Sequence, residues 1–323
     1  EPDSWFRVSQ VLHLVDSGPA IMAELENRRL TGKLAFQTLY DLYRSVREKP
    51  AVNAYLEKSQ SADKVLQIFV RVNSSGEPLS YSDLLLSMAT NQWNDLDARE
   101  QVRTLVTALN NTPANFTFSK DLILKTGLVL TDVPDIGFKV SNFTQANMAA
   151  MEKEWPALRS TMIRAADLLA SFGFSGRTLT ADSPMIAIAY YLYRHRPDAT
   201  NYVSSAADAA DRNAVRKWVV RSLMKRGTWG SGLDTLLRTL REAIRDHGQS
   251  GFPLQQIQSA MATTGKSINF EDAEIAELLD LRYGSPRIFP VLATLYPGLD
   301  MTKSFHEDHI FPRSHFTRTR LLK

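Results

Sequence analysis

Apolar residues recur three and four positions apart along most of the chain, which is the period of amphipathic α-helices. The clearest stripe runs from Thr144 to Phe172. It consists of Met148, Met151, Trp155, Leu158, Met162, Ala165, Leu168 and Leu169. One long helix with its methionines in the core is therefore predicted here.

The same period predicts shorter helices on both sides of this stripe. Gly18-Pro19 and Lys49-Pro50 interrupt the N-terminal pattern, so about three or four helices are expected before residue 56. Their expected core residues include Trp5, Val8, Val11, Leu12 and Val15. Leu128 to Pro134 is expected to be extended or a connector. Further helices are predicted at Tyr81–Trp93, Leu96–Leu109, Lys120–Lys125, Ser183–Tyr193, Asp211–Arg226, Ser231–His247, Leu254–Thr263, Phe270–Leu281 and Pro286–Tyr296.

A short β segment is predicted only near the C-terminus. Asp308 to Phe311 ends in the apolar pair Ile310-Phe311 before Pro312, whose missing amide hydrogen stops a strand. Pro297-Gly298 separates this segment from the helices. The expected fold is therefore mainly α, with about fifteen short helices around one or two cores and a short C-terminal β segment.

Composition favours a soluble globular protein, because 44% of the residues are hydrophobic and 23% are charged. The absence of cysteine excludes disulfides and thiolate metal sites and favours a reducing cytoplasm. The best apolar run, Met185 to Tyr193, is too short to cross a bilayer, so no membrane is expected. Because the chain begins at Glu1 without a leader, we expect both ends to be cut from a longer protein.

Positive charge is concentrated in two places. The net charge is +3, and residues 301–323 alone contain five Lys or Arg against two acids. The helix predicted at Asp211–Arg226 carries Lys217, Arg221 and Lys225 at a spacing of four. Such a row can lie along a phosphate backbone, although the solvated face of a helix has the same pattern. These three residues are candidate nucleic-acid contacts.

The titratable chemistry is concentrated near the C-terminus, where three of the six histidines fall between Phe305 and Phe316. Asp308 can supply the oxygen ligand of a hard divalent cation, and His309 can take a proton from water near neutral pH. This pair suits general base catalysis beside a metal-bound phosphate. A solvated turn is the alternative, whereas a zinc-protease site containing His306 and His309 has the wrong spacing.

The run Asp308-His309-Ile310-Phe311-Pro312 resembles the opening of the HNH, or His-Me finger, nuclease motif. The resemblance implies that Asp308 binds a divalent metal such as Mg²⁺ and that His309 is the general base of phosphodiester hydrolysis. Arg313 would then neutralise a phosphate. The asparagine of the family motif is absent from Ser314 to Lys323. The ββα-metal finger is therefore expected to be truncated, and this fragment alone is expected to be inactive.

A second candidate site precedes the helix predicted at Tyr81. An apolar run carrying Arg71 passes into the small polar residues Asn73 to Gly76, which tolerate positive φ and expose backbone amides. Ser80 is a predicted helix N-cap with Asp83 as its partner. Exposed amides beside an arginine can hold a phosphate, although a plain turn with Arg71 paired locally fits equally well.

The pattern Phe69-x-Arg71-x-Asn73-x-x-Gly76-x-Pro78-Leu79-Ser80 resembles the later part of the regulatory domain of GmrSD-type, modification-dependent restriction enzymes. The resemblance implies nucleotide sensing by Arg71 and Asn73, with a nucleoside triphosphate bound by the full-length protein. It also implies cleavage of modified DNA in phage defence, and a homo-oligomer is compatible with it. The family's Asp-Gly-Gln-Gln-Arg segment is absent from this sequence and is expected upstream of Glu1.

Three domains follow from this resemblance. They are the later part of a regulatory domain at 1–110, a helical domain at 111–297 and the start of a truncated nuclease domain at 298–323. Two other functions remain open from the sequence. One is a non-catalytic helical module for nucleotide sensing or protein interaction, and the other is a metal-dependent hydrolase of small phosphates.

Overall fold

The computed structural model describes residues 5–30, 32–50, 54, 56–59, 61–72, 81–90, 92–282, 284–296 and 299–300. This part of the chain is mainly helical, as the sequence predicts, and it contains thirteen α-helices and no strand. The helices are α1 (Pro19–Asn27), α2 (Lys33–Tyr43), α3 (Ala62–Val72), α4 (Tyr81–Thr90), α5 (Ala98–Asn110), α6 (Lys120–Leu130), α7 (Gln145–Ser171), α8 (Pro184–His195), α9 (Ala209–Met224), α10 (Leu233–His247), α11 (Leu254–Thr263), α12 (Asp272–Leu279) and α13 (Ile288–Leu295). The predicted β segment, Asp308 to Phe311, lies outside the described residues.

The chain divides into two compact units between Gln60 and Ser61. The first unit contains α1 and α2, and its apolar side chains form a small core of its own. The buried residues of this core are Val11, Leu14, Ile21, Leu25, Leu39 and Tyr43.

The first predicted stripe is only partly correct. Val11 is buried, but the side chains of Trp5, Val8, Leu12 and Val15 are exposed. The segment Val8–His13 is a 3₁₀ helix rather than an α-helix. Its period of three residues per turn aligns Val11 with Leu14, and these two residues are buried together.

The long helix α7 is the centre of the second unit, where it packs against α5, α6 and α8. Every apolar residue of the stripe predicted between Thr144 and Phe172 is buried, which confirms that prediction. The hydroxyl of Thr144 accepts a hydrogen bond from the amide of Asn147 and so caps the helix N-terminus.

Glu152 on α7 holds the segment that leads into α5. Its buried carboxylate accepts hydrogen bonds from the amides of Asn94, Asp95 and Leu96 at 3.0, 2.7 and 2.8 Å. Burial by itself would raise the pKa of Glu152, but the three amide bonds outweigh it and hold that pKa below its ordinary value. The carboxylate is therefore ionised at neutral pH and ties this segment to the central helix.

The predicted boundary at residue 110 falls inside the second unit. α5 ends there and packs against both α6 and α7, which follow it in the chain. Leu105 and Leu109 belong to the same buried cluster as Leu122 and Ile123. The compact units thus divide at residue 60, whereas the regulatory, helical and nuclease domains at 1–110, 111–297 and 298–323 stay functional predictions.

Candidate nucleic-acid interface

The orientation of α9 is fixed by Asp211 in its first turn. The carboxylate accepts hydrogen bonds from the hydroxyls of Tyr191 and Tyr202 at 2.5 and 2.8 Å. It also accepts one from the amide of Phe252 at 2.5 Å. These donors come from α8, from the loop before α9 and from the segment before α11, so they hold Asp211 from three directions.

The two tyrosines in this network remain protonated well above neutral pH. Burial raises the pKa of Tyr191 and Tyr202, and the neighbouring Asp211 carboxylate raises both further. Their hydroxyls therefore stay available as donors, and the start of α9 is held in one position.

One side of α9 lines a cavity of about 340 Å³. The polar residues at this cavity are Ser171, Arg212, Asn213, Arg216 and Asp300. Arg212 and Arg216 lie four positions apart, so they share one face of the helix. We call this site the α9 cavity.

Backbone carbonyl groups position both guanidinium groups of the α9 cavity. Arg212 Nη1 donates to the carbonyl oxygens of Tyr202 and Ser205 at 2.7 and 2.5 Å. Arg216 Nη2 donates to the carbonyl oxygen of Ala293 at 3.0 Å. Neutral carbonyls orient these groups without neutralising them. Within the described residues, neither arginine forms an ion pair with a carboxylate.

The three residues of the basic row predicted on this helix do not form one continuous exposed surface. Lys217 is exposed and Arg221 is half-buried on α9. Lys225 lies just beyond the helix, where its ammonium donates to Glu274 at 2.5 Å and to the Asn269 carbonyl at 2.7 Å. Its charge is therefore paired, and its visible role is to hold the start of α12.

Sequence reasoning missed Arg212, Asn213 and Arg216. The spacing of Arg212 and Arg216 is the same as that of Lys217 and Arg221, so a signal was present. The sequence prediction instead uses the longer row that continues to Lys225. The two rows lie on different faces of α9, and the contacts of Asp211 determine which face lines the cavity.

The predicted nucleotide-sensing residues are only partly described. Arg71 is exposed in the last turn of α3, whereas Asn73 and the turn to Gly76 lie outside the described residues. A second cavity of about 640 Å³ lies beside α4, α5 and the start of α6. The Asp83 carboxylate forms an ion pair there with Lys120, and Arg99 donates to the Ser87 hydroxyl at 3.0 Å.

The predicted catalytic residues Asp308 and His309, and the phosphate contact Arg313, lie outside the described residues. Across the part that is described, no cluster of three or more His, Asp or Glu side chains is placed to bind a metal. In the same residues, no helix combines the length and the apolar character needed to span a bilayer.

The described fold defines a mainly helical protein of two compact units, with a cationic cavity on α9 of the second unit. Comparisons with protein-family models and with curated proteins find no match for this chain.

Proposed function

We propose that this chain is part of an HNH-type, metal-dependent endonuclease, in which a helical body carries a nuclease segment near residue 308. One observation carries this proposal. It is the run Asp308-His309-Ile310-Phe311-Pro312, which combines a carboxylate, an imidazole and a strand-ending proline in the order of the nuclease motif.

Each residue of this segment has a defined chemical role. The Asp308 carboxylate offers the oxygen ligand that a hard cation such as Mg²⁺ prefers. Such a cation, when bound, polarises the phosphodiester as a Lewis acid. His309 accepts the proton of the attacking water, because a neutral imidazole is a base near pH 7. Arg313 contributes positive charge beside the phosphate.

The finer assignment is a GmrSD-like restriction enzyme that cuts modified DNA in phage defence. It is supported by the order of two patterns, with Arg71-x-Asn73 and its turn preceding the nuclease segment. In this assignment a nucleoside triphosphate binds to the part of the protein that contains Arg71 and Asn73, and its binding controls cleavage. The α9 cavity adds a positively charged surface on the helical body.

The direct test uses the full-length protein with Mg²⁺ and supercoiled plasmid, prepared with and without modified bases. His309→Ala is expected to abolish nicking while circular dichroism stays unchanged. His315→Ala is the matched control, because it removes another imidazole from the same segment and is expected to preserve nicking. Undiminished cleavage by His309→Ala would refute the assignment.

The same experiment separates the other two functions. A non-catalytic sensing module would bind a nucleoside triphosphate but leave every plasmid intact. A hydrolase of small phosphates would cleave a small phosphodiester in preference to plasmid.

A further inference from the structure

We infer that the α9 cavity holds a phosphate of the DNA backbone and anchors the duplex beside the nuclease segment. The inference rests on the proposed function for the identity of the ligand. Its structural basis is independent of Asp308 and His309, because the residues of the cavity belong to the described helical body.

The α9 cavity has an excess of positive charge. Among the described residues, the lining contains two guanidinium groups, from Arg212 and Arg216, and one carboxylate, from Asp300, so these residues give it a net positive charge. Ala209 at the start of α9 also lines the cavity, and the positive end of the helix dipole adds to the same potential. An anion is therefore the ligand that this lining favours.

Both guanidinium groups of the cavity keep N–H donors that the described part of the protein does not use. A guanidinium has five N–H groups in a planar fork. The carbonyl bonds of Arg212 use Nη1, and that of Arg216 uses Nη2. Nε and Nη2 of Arg212 therefore have no hydrogen-bond partner among the described residues, and neither do Nε and Nη1 of Arg216. An Nε and Nη2 pair is the edge that binds phosphate in a bidentate manner.

The two arginines of the cavity are preorganised. The carbonyls of Tyr202, Ser205 and Ala293 fix the guanidinium groups before any ligand arrives. Binding therefore costs less side-chain entropy than it would for freely moving arginines.

The lining of the cavity suits a phosphate group better than a DNA base. Among the described residues, the one aromatic side chain at the cavity is that of Phe172, which is only 7% exposed and offers little surface for stacking. The Asn213 side-chain amide is a small donor that suits phosphate oxygens, whereas the Ser171 hydroxyl already donates to the Leu168 carbonyl at 2.7 Å. The cavity therefore fits a contact that positions DNA without reading its sequence.

The chain length between the cavity and Asp308 limits how far apart the two can lie. Asp300 lines the cavity and precedes Asp308 by eight residues. Fully extended, this stretch spans at most about 29 Å. That distance corresponds to roughly eight base-pair steps along the duplex axis. A phosphate held at α9 thus lies within reach of the strand that the nuclease segment would cut.

The test measures binding of a fluorescein-labelled DNA duplex of about 25 base pairs to the full-length protein by anisotropy, in EDTA and across a salt series. Arg216→Gln is expected to weaken binding about five- to tenfold, and to reduce the slope of log affinity against log salt by about 1. The loss should be equal for duplexes of different sequence. Arg216→Lys retains the charge and is expected to recover part of the affinity.

Arg238→Gln is the matched control, because it removes the same charge from an exposed position on α10. It is expected to bind like the wild type. Thermal unfolding of Arg216→Gln checks that the loss of the Ala293 contact has not unfolded the protein, and Arg216→Lys provides the comparison if it has.

Failure of this inference differs from failure of the proposed function. Wild-type affinity and salt slope in both Arg216→Gln and the Arg212→Gln/Arg216→Gln double variant would overturn the anchor, even if the protein cleaves DNA. Absence of DNA binding, with ATP bound at the cavity instead, would overturn it in favour of a free nucleotide. Loss of binding in Arg216→Gln would support the anchor, even if His309→Ala still cleaves.

Discussion

The contact between Glu152 and the segment before α5 gives a sharp prediction, because its three donors are backbone amides that cannot accept a hydrogen bond. In Glu152→Gln the side-chain oxygen can keep the two bonds of Oε1, to Asp95 and Leu96. The new side-chain NH₂ group would then face the backbone N–H of Asn94, and two donors cannot form a hydrogen bond. One charge-assisted bond is lost, which costs about 1.5–3 kcal/mol. The expected decrease in Tm is roughly 3–12 °C.

The assay is urea unfolding followed by tryptophan fluorescence. Trp155 lies one turn after Glu152 and packs edge-on against Trp93, with 5.2 Å between the ring centroids. Glu242→Gln makes the same chemical change at an exposed position on α10 and should leave the midpoint unchanged.

The pH dependence gives a second check on Glu152. Its pKa is lower in the folded than in the unfolded chain, so its contribution is complete above the unfolded value of about 4.3. The contribution disappears as pH falls through the folded pKa. The stability difference between wild type and Glu152→Gln should therefore shrink in acid. A wild-type midpoint for the variant at pH 7, or a difference that persists unchanged at pH 3, would refute this reasoning.

Two further predictions concern packing and buried hydroxyls. Gly176→Ala should destabilise the protein by about 1–3 kcal/mol, because the new methyl group would overlap the Asn115 carbonyl. Gly230→Ala is the control, because a Cβ at Gly230 would lie 3.7 Å from its nearest neighbour, and it should be close to neutral in thermal unfolding. The pKa values of Tyr191 and Tyr202 are higher in the folded than in the unfolded chain, where a tyrosine titrates at about 10. The two protonated hydroxyls therefore stabilise the fold fully below about pH 10, and this contribution is lost as the pH rises from there through the folded pKa values. Absorbance at 295 nm should show these two phenols ionising only as the chain unfolds, and ionisation before unfolding would contradict the assigned contacts.

The sequence predicts α7 well because its stripe is long and one-sided, but it predicts α6 poorly. The expected helix stopped at Lys125, whereas α6 continues to Leu130. The last residues of α6 are buried on all sides, so no polar face marks the helical period. Gly127 allows this packing, because a Cβ there would lie 2.7 Å from Met151 Cε.

His195 shows how tertiary packing changes a local prediction. Its position at the end of α8 suggests a solvated, charged imidazole. In the fold the ring is half-buried, and Nε2 lies 2.8 Å from the Ile244 carbonyl oxygen. Burial lowers the pKa of His195, which favours the neutral ring. The ring is buried by α10. The sequence around His195 does not indicate that α10 packs beside α8.

At the candidate site, too, the sequence shows which residue types are present but not which way they face. The sequence supplies basic residues along α9, but their spacing is equally regular on two faces. The face that lines the cavity is selected by donors to Asp211, and Phe252 is far from it in sequence. The Asp308 and His309 assignment depends on residue order alone and stays a prediction.

The position of α7 has a consequence for the order in which the chain can fold during synthesis. Its 27 residues extend for about 40 Å. α5 and α6 leave the ribosome before this helix. Their apolar faces therefore stay exposed until α7 has been synthesised. A polypeptide stopped at residue 110 would leave Leu105 and Leu109 without their later neighbours. Truncations meant to isolate a regulatory fragment should therefore extend beyond α8.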